Sequence, residues 1–384
     1  MFRPLLGLLV VFSLLVSSPA QAQGFESEAT HAVIMDHATG EILWEKNGYD
    51  AMIPASMTKM MTAHVVFERI ETGEIALTDQ FTVSENAWRK GGWASGGSTM
   101  GLAIGDQPTV EELLRGVIIL SGNDACIVLA EGISGTEEAF AREMTALAQR
   151  MGLESASFRN TTGLDEEGHR ISAVDLAKLA QASIEQYPQF YDLYAEDAYE
   201  WRGIRQPNRN PLLGRMGGVD GLKTGHLEVS GYGLTASAER NGARRIVVLN
   251  GMASEADRAR EAERLMRLAF TAFETRYIKP ADLALPALPV WMGASDSVDI
   301  VLAEPFVIGG AKRDFADGKV ELVYDGPLEA PIAQGDEVAR MVVSLPGRDP
   351  MVMPVLAAGS VEKTDFIGRV LDGLNTVITG GADS

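Results

Sequence analysis

The pattern of hydrophobic and polar residues predicts strands near both ends of the first 280 residues. Residues 31–36 and 41–46 are short apolar runs with a turn signal between them, which is typical of two paired strands. Residues 231–238 and 244–249 flank Asn241-Gly242, which is a strong hairpin signal. The two ends of this region are therefore predicted to contribute to one sheet.

Helical patterns occupy the region between these strands. Thr109 and Glu112 have the spacing of a capping box, and apolar helical runs continue to residue 150 with a break at residues 120–124. The predicted helices lie at residues 56–73, 109–150, 172–187 and 255–273. Strands at both ends with helices between them predict an α+β domain, in which helices cover an antiparallel sheet.

Residues 81–99 have a less regular pattern. Residues 81–84 predict a short strand, and residues 88–99 predict a loop rich in glycine and serine with two tryptophans. A loop of this size either walls a cleft or forms a surface excursion, and the sequence favours neither.

The pattern changes again near Lys279-Pro280. The apolar runs there are short, are separated by Gly and Pro, and have no helical period: residues 298–301, 319–324 and 338–345. This pattern predicts a small all-β domain at residues 280–357, after a first domain at residues 23–279.

Residues 358–384 return to a helical pattern. Phe366, Val370 and Leu374 recur on one face, with charged residues elsewhere. An amphipathic tail suggests a helix that lies in a membrane interface. Because the polar face is not basic, packing of the helix against the β domain is an equal alternative.

The first 22 residues have the order of a secretory signal peptide. Arg3 precedes an apolar run at residues 5–16, and Ala20-Gln21-Ala22 supplies the small residues of a cleavage site. We predict cleavage after Ala22 and export of the mature chain. The alternative is an uncleaved N-terminal anchor.

Composition excludes several functions. A formal net charge of −20 and a pI near 4.7 argue against nucleic acid as a partner. The five histidines have no paired metal-ligand spacing, so we predict no metal and no cofactor. Cys126 is the only cysteine and lies in an apolar segment, which favours a buried structural thiol over a nucleophile.

Ser56 and Lys59 are the first candidates for chemistry. Positions i and i+3 share one face of a helix, so the hydroxyl and the amine are predicted to lie within hydrogen-bond distance. A serine needs a neighbouring base, and an amine serves when burial lowers its pKa. The spacing alone is unspecific, because Ser360 and Lys363 share it.

Two further motifs supply polar groups. Ser121 and Asn123 lie on the break between helices, where they suit proton relay and the holding of a substrate carbonyl, although residues 84–86 share their spacing. Lys223-Thr224-Gly225 directly precedes the predicted hairpin and offers a cation and a hydroxyl to a carboxylate.

The order of the three motifs is more specific than any one of them, and it is that of penicillin-binding proteins and serine β-lactamases. With residues 121–126 (Ser-Gly-Asn-Asp-Ala-Cys) and 219–226 (Val-Asp-Gly-Leu-Lys-Thr-Gly-His), the chain resembles the serine-type D-Ala-D-Ala carboxypeptidases, which are low-molecular-mass penicillin-binding proteins. The resemblance covers essentially the mature chain. It implies the penicillin-recognising fold, followed by a β domain and a tail.

The resemblance implies catalytic roles for residues of the first two motifs. Ser56 would attack the carbonyl between two D-alanines to give an acyl-enzyme, and Lys59 would take its proton. Ser121 would pass that proton to the leaving D-alanine, and Asn123 would hold the amide on the acyl side.

The resemblance also implies substrate-binding roles. Lys223 and Thr224 would bind the terminal carboxylate, and the backbone N–H of His226 would complete an oxyanion hole with that of the nucleophile. Arg209 and Arg260 match arginines that the family places near the pocket. A solvated surface role for each is an equal alternative.

The function that the resemblance implies is removal of the terminal D-alanine from peptidoglycan pentapeptide stems in the periplasm, with acylation by β-lactams. Peripheral contact with the inner membrane is left open, because the tail is less basic and aromatic than is common in the family. A DD-endopeptidase, a β-lactamase and a non-catalytic peptidoglycan-binding or penicillin-sensing protein remain alternatives.

Overall fold

The computed structural model describes residues 25–280 and 283–364. The predicted signal peptide and the apolar tail positions at Phe366, Val370 and Leu374 lie outside these ranges. Within them, no helix has the length and apolar character that a membrane span requires.

A five-stranded antiparallel sheet forms the centre of the first domain, in the order β2-β1-β9-β8-β7. The strands of this domain are β1 (His31–Asp36), β2 (Ile42–Lys46), β3 (Ala51–Met52), β4 (Ile171–Ser172), β5 (Ala198–Trp201), β6 (Ile204–Pro207), β7 (Val219–Leu227), β8 (Gly231–Arg240) and β9 (Ala243–Met252). The predicted hairpin is confirmed between β8 and β9. Asn241 and Gly242 both have positive φ there, as a type I′ turn requires.

Helices cover both faces of this sheet. They are α1 (Lys59–Glu71), α2 (Glu85–Gly91), α3 (Val110–Ile118), α4 (Asn123–Ser134), α5 (Glu137–Arg150), α6 (Ala173–Gln186), α7 (Pro188–Tyr191) and α8 (Glu255–Thr271). Val33 and Met35 of β1 pack in the core with α1 and α3–α6, whereas Ala32 and Ile34 pack in the second core with α8. The alternation along β1 follows from the two-residue period of a strand, and the α+β class is confirmed.

Residues 81–99 differ from the prediction. Residues 81–84 do not form a regular strand, although Val83 N–H donates to Asp106 O at 2.9 Å. Ser84 instead caps α2 by accepting from Ala87 N–H at 2.9 Å, and a 3₁₀ turn follows at Trp93–Ser95. The prediction of a loop from residue 88 is therefore wrong for its first part, because the N-cap serine starts a helix that continues to Gly91.

A second domain of β structure follows α8 and has its own apolar core. Its elements are β10 (Phe273–Ile278), β11 (Leu288–Trp291), β12 (Ser297–Val298), β13 (Ile300–Leu302), β14 (Phe306–Ala311), α9 (Lys312–Ala316), β15 (Lys319–Val323), β16 (Leu328–Glu329), β17 (Glu337–Ser344) and β18 (Met351–Ala357). Strand β10 pairs along its whole length with β14. This pairing supports a domain boundary near residue 272, before the predicted boundary at residue 279.

The first residues of the predicted helical tail are extended. Val361 forms a β-bridge with Ile332, and Lys363 forms one with Gly293. The expectation of a helix from residue 358 is therefore wrong as far as residue 364, because the backbone there hydrogen-bonds to the β domain.

A buried ion pair joins the central sheet to strand β10. Arg245 Nη1 donates to Asp36 Oδ2 at 2.7 Å, and both side chains are buried. Thr275 Oγ1 of β10 donates to the same carboxylate oxygen, and Arg245 Nε donates to Ala269 O at 3.2 Å. The Asp36 carboxylate thus accepts hydrogen bonds from both the central sheet and the first strand of the second domain.

Candidate active site

Ser56 lies in a 3₁₀ turn, Ala55–Thr58, that leads directly into α1. Two glycines allow other segments to approach this turn closely. A Cβ added at Gly225 of β7 would lie 2.7 Å from Pro54 O, and one added at Gly163 would overlap Ala55 O. The turn is therefore held between strand β7 and residues 160–164, and the sequence prediction of a serine at the start of a buried helix is confirmed.

Lys59 is 1% exposed and reaches three oxygen atoms. Its Nζ lies 2.9 Å from Ser56 Oγ, 2.8 Å from Asn123 Oδ1 and 2.7 Å from Thr162 O. Burial lowers the pKa of Lys59 to about 8. Since the amide and carbonyl oxygens only accept, they take the two N–H bonds of a neutral amine, and its lone pair is left for the Ser56 hydroxyl.

Ser121 and Asn123 lie at the start of α4. Ser121 is buried and has φ +60°, and Gly122 is the N-cap of the helix. Asp124, the next residue, is also buried and accepts from Thr99 Oγ1 at 2.6 Å and from the Met100 N–H at 2.8 Å. The break between two helices, which the sequence predicted, is thus fixed to the chain around residue 99.

Lys223, Thr224 and His226 lie on β7, which is the edge strand of the sheet. Burial, reinforced by the neighbouring cations Lys59 and Arg209, holds the pKa of Lys223 well below its usual range. The His226 ring stacks on Tyr232 of β8, with 3.8 Å between the ring centroids. This edge therefore places a buried amine, a hydroxyl and free backbone groups close to Ser56.

The two predicted arginines have different positions. Arg209 lines the cleft beside Ser56 and donates to Ser98 Oγ, and burial lowers its pKa. The Arg260 side chain is 63% exposed and pairs with Asp257 at 2.7 Å, outside the residues that line the cleft. The structure therefore brings only one of them into the site.

Arg258 lies on α8, as Arg260 does, but its side chain is buried. The sequence interpretation did not single it out. It lies over the Tyr232 ring, with its guanidinium carbon 5.7 Å from the ring centroid. Its charge contributes, after burial, to the lowered pKa of both Arg209 and Lys223, so it lies near them. The helical position of Arg258 relative to Ala262 and Leu265, which are buried, is the signal that could have identified it.

Residues 160–164 were also missed. Asn160 Oδ1 accepts from the Gly163 N–H at 2.8 Å, and Thr162 O is the third contact of Lys59. His169 accepts from the Arg159 N–H at its Nδ1, which leaves its Nε2–H for Thr58 Oγ1 at 2.8 Å. The polar run Asn-Thr-Thr-Gly at 160–163 is the sequence signal for this segment.

A cleft of about 490 Å³ lies in front of Ser56, and Lys59, Ser121, Lys223 and Thr224 are outside its lining. The cleft is lined by Ser56, Gly96, Gly97, Ser98, Asn123, Thr162, Gly163, Leu164, Arg209, His226, Leu227 and Glu228. The second serine–lysine match lies elsewhere, since Ser360 Oγ accepts from the Gln334 N–H in the β domain. Among the described residues, no three His, Cys, Asp or Glu side chains group as metal ligands would.

Comparison with protein families identifies both domains. Residues 16–253 match the family described as D-alanyl-D-alanine carboxypeptidase, and residues 273–363 match the C-terminal domain of penicillin-binding protein 5. The chain belongs to the D-alanyl-D-alanine carboxypeptidase family, which confirms the resemblance drawn from the three motifs.

Individual relatives agree with this assignment. The D-alanyl-D-alanine carboxypeptidase DacC of Escherichia coli is 37% identical over 88% of this chain and 86% of its own. The crystal structure of penicillin-binding protein 5 from Haemophilus influenzae is 34% identical, with a TM-score of 0.74 over 88% of this chain and 99% of its own. Penicillin-binding protein D2 from Listeria monocytogenes, solved in an ampicillin-bound form, is 26% identical, with a TM-score of 0.56 over 65% of this chain and 99% of its own.

Proposed function

We propose that this protein is a serine D-Ala-D-Ala carboxypeptidase that removes the terminal D-alanine from peptidoglycan stem peptides and is acylated by β-lactams. The observation that carries the proposal is the distance of 2.9 Å between Ser56 Oγ and the buried amine of Lys59. Burial lowers the pKa of this amine to about 8, so a substantial fraction is neutral near physiological pH.

Acylation begins with proton transfer from the Ser56 hydroxyl to the neutral Lys59 amine. Ser56 Oγ then forms a bond to the carbonyl carbon between the two D-alanines, and the carbonyl electron pair moves to the oxygen. The N–H groups of Ser56 and His226 would stabilise this oxyanion, each by about 3 to 4 kcal/mol. Ser121 would relay the proton to the amide nitrogen as its bond to carbon breaks and D-alanine leaves.

The cations of the cleft suit the C-terminal carboxylate of the substrate. Lys223 and Thr224 would bind it at the edge of β7, and Arg209, which lines the cleft, would add positive charge. Arg258 lies beside them and would strengthen the positive potential. Asn123 would hold the amide on the acyl side, and water would then attack the ester to release the shortened peptide and restore Ser56.

The test is D-alanine release from diacetyl-Lys-D-Ala-D-Ala by the purified protein and by Ser56→Ala, with mass spectrometry after penicillin treatment. We expect release that requires Ser56 and a penicilloyl adduct on the same residue. An adduct without release would instead indicate an endopeptidase or a penicillin sensor. Absence of both signals from a folded protein would refute the proposed function, and rapid loss of the adduct would indicate a β-lactamase.

We also propose that the mature chain acts in the periplasm. The pattern of residues 1–22 supports export, and the amphipathic pattern of residues 365–384 supports peripheral contact with the inner membrane. The amino-terminal sequence of protein recovered from the periplasm should begin at Gln23. A second test is co-sedimentation with anionic vesicles before and after deletion of residues 365–384, since an unchanged bound fraction would argue against a membrane role for them.

A further inference from the structure

The turn after β7 places an acidic side chain in the cleft. Leu227 and Glu228 line the cleft next to His226. The Ser230 N–H donates to Leu227 O at 3.2 Å, so residues 227–230 form a tight turn with Glu228 at its second position. Glu228 is exposed and pairs with no cation in the described parts of the chain.

The charge of Glu228 is unusual for its surroundings. Among the described residues that line the cleft, it is the only carboxylate, and Arg209 is the only arginine or lysine. Lys223, whose side chain is buried, lies on β7 five residues before Glu228 and outside the residues that line the cleft. The cleft therefore presents positive charge at Arg209 and negative charge at the turn that carries Glu228.

The direction of β7 determines which residue of a bound peptide lies near the turn that carries Glu228. An extended peptide that joins the free edge of an antiparallel sheet runs opposite to the edge strand. With its terminal carboxylate at Lys223 and Thr224, as the proposed function requires, each earlier residue lies about 3.3 Å further towards the turn. The residue that precedes D-Ala-D-Ala then lies alongside residues 226–228.

We propose that Glu228 selects substrates in which the residue before D-Ala-D-Ala carries a cationic side chain, such as a free primary amine. This inference rests on the proposed function, because the position of the peptide depends on it. An exposed carboxylate that has no other partner attracts an ammonium group without a competing ion pair. The preference for the cationic peptide is expected to be about two- to fivefold, which is the range for a solvent-exposed ion pair.

The test uses two peptides that differ by one charge. Acetyl-Lys-D-Ala-D-Ala keeps its free side-chain amine, whereas diacetyl-Lys-D-Ala-D-Ala does not. The readout is the ratio of kcat/KM for the two peptides at low salt. The wild-type protein should favour the free amine, Glu228→Gln should bring the ratio close to one, and Glu228→Lys should reverse it.

A matched control separates this effect from net charge. Glu200→Gln removes the same charge from an exposed position on β5, outside the residues that line the cleft, and should leave the ratio at its wild-type value. A ratio that is equal in the wild type and Glu228→Gln, with both peptides hydrolysed, would overturn the inference and leave the proposed function intact.

Failure of the proposed function is distinguishable from failure of the inference. If neither peptide releases D-alanine, the proposed function is contradicted, and the comparison is read from the protection that each peptide gives Ser56 against a fluorescent penicillin. Stronger protection by the free-amine peptide, lost in Glu228→Gln, would support the role of Glu228. Equal protection by the two peptides would overturn it.

Discussion

At the scale of single residues, the site depends on the burial of a lysine amine. Lys59 has two neighbours that only accept hydrogen bonds, Asn123 Oδ1 and Thr162 O, and no carboxylate among the atoms that it contacts by hydrogen bonds. An ammonium group in this position loses its hydration without gaining a counterion at contact distance. The same arrangement leaves the neutral amine fully hydrogen-bonded, so the structure favours the protonation state that the proposed mechanism requires.

Acylation of Ser56 by benzylpenicillin is expected to depend on pH through Lys59. In the proposed mechanism the neutral amine is the base, and its fraction falls as pH decreases below about 8. The second-order rate constant should therefore fall about tenfold for each pH unit well below that value and level off above it. Stopped-flow measurement between pH 6 and 9 checks this, and a flat profile would exclude Lys59 as the titrating base.

Lys59→Arg tests the base in a second way. The guanidinium keeps a positive charge and remains protonated, because arginine is not deprotonated in proteins. Acylation should slow by about 10²- to 10⁴-fold, the usual contribution of a general base. A circular dichroism spectrum like that of the wild type would show that the loss reflects chemistry and not unfolding.

His64 is expected to make the protein less stable in acid. Burial lowers its pKa from 6.5 to about 4, so between these values the unfolded chain binds a proton that the folded protein excludes. The free energy of unfolding therefore falls as pH decreases through this window, by at most about 1.4 kcal/mol per pH unit from this residue. Urea titrations from pH 6.5 to 4.5 should show a shallower dependence in His64→Gln, and identical slopes would contradict the prediction.

At the scale of elements, α4 positions both its own residues and the segment before it. Asp124 is buried at its first turn and accepts from the backbone N–H groups of Met100, Gly101 and Leu102, at 2.8, 2.9 and 3.0 Å. The adjoining residues 96–98 line the cleft. The Asp124 carboxylate thus holds the glycine-rich segment in place against α4, the helix that carries Asn123.

Asp124→Asn is expected to loosen this connection. The amide places an NH₂ group where the carboxylate accepted backbone donors, and a lost hydrogen bond to a charged group costs about 1.5 to 3 kcal/mol. We expect a loss of this size in the free energy of unfolding, together with slower acylation of Ser56. Thr109→Ala removes the cap of α3 and is the comparison, since it should cost about 1 kcal/mol with little change in acylation.

The elements that the sequence predicted well are those with strong local signals. The Asn241-Gly242 turn, the capping box at Thr109 and the apolar helix after Lys59 were all confirmed. Residues 81–84 were predicted wrongly because their apolar side chains pack against helices, while their backbone pairs with a loop instead of a strand.

In the candidate site, too, some residues could be predicted from the sequence and others could not. Spacing along the chain identified Ser56, Lys59 and Asn123, because their order is specific. The order of the motifs could not identify Thr162, which contributes its backbone oxygen, and it could not choose Arg258 over Arg260, because that choice follows from the apolar face of α8 and not from a motif. A contact made by a backbone atom does not depend on the type of residue, so the sequence does not reveal it.

At the scale of the whole molecule, the two domains meet around Asp36 and Arg245. Each side chain is buried, and Thr275 adds the second domain to their hydrogen bonds. Arg348 of the second domain donates to Glu41 and to Gly309 O close by. The β domain is thereby attached to the edge of the central sheet at β1 and β2, away from β7.

Asp36→Asn should show how much the buried pair contributes. It leaves the Arg245 cation without its counterion, and breaking a buried ion pair from one side costs about 3 to 5 kcal/mol. Glu263→Gln breaks the exposed pair with Arg267 and should cost less than about 1 kcal/mol. Denaturant unfolding of both variants provides the comparison, and equal costs would mean that the buried pair is compensated elsewhere.

The position of Cys126 gives the molecule a built-in reporter of core opening. It is the only thiol in the chain, is fully buried in α4, and burial raises its pKa to about 12. A thiol-specific dye therefore reacts only when the helical core opens, so its labelling rate measures the frequency of that opening. Any cysteine introduced on the surface can be labelled selectively in the folded protein, without removal of the native one.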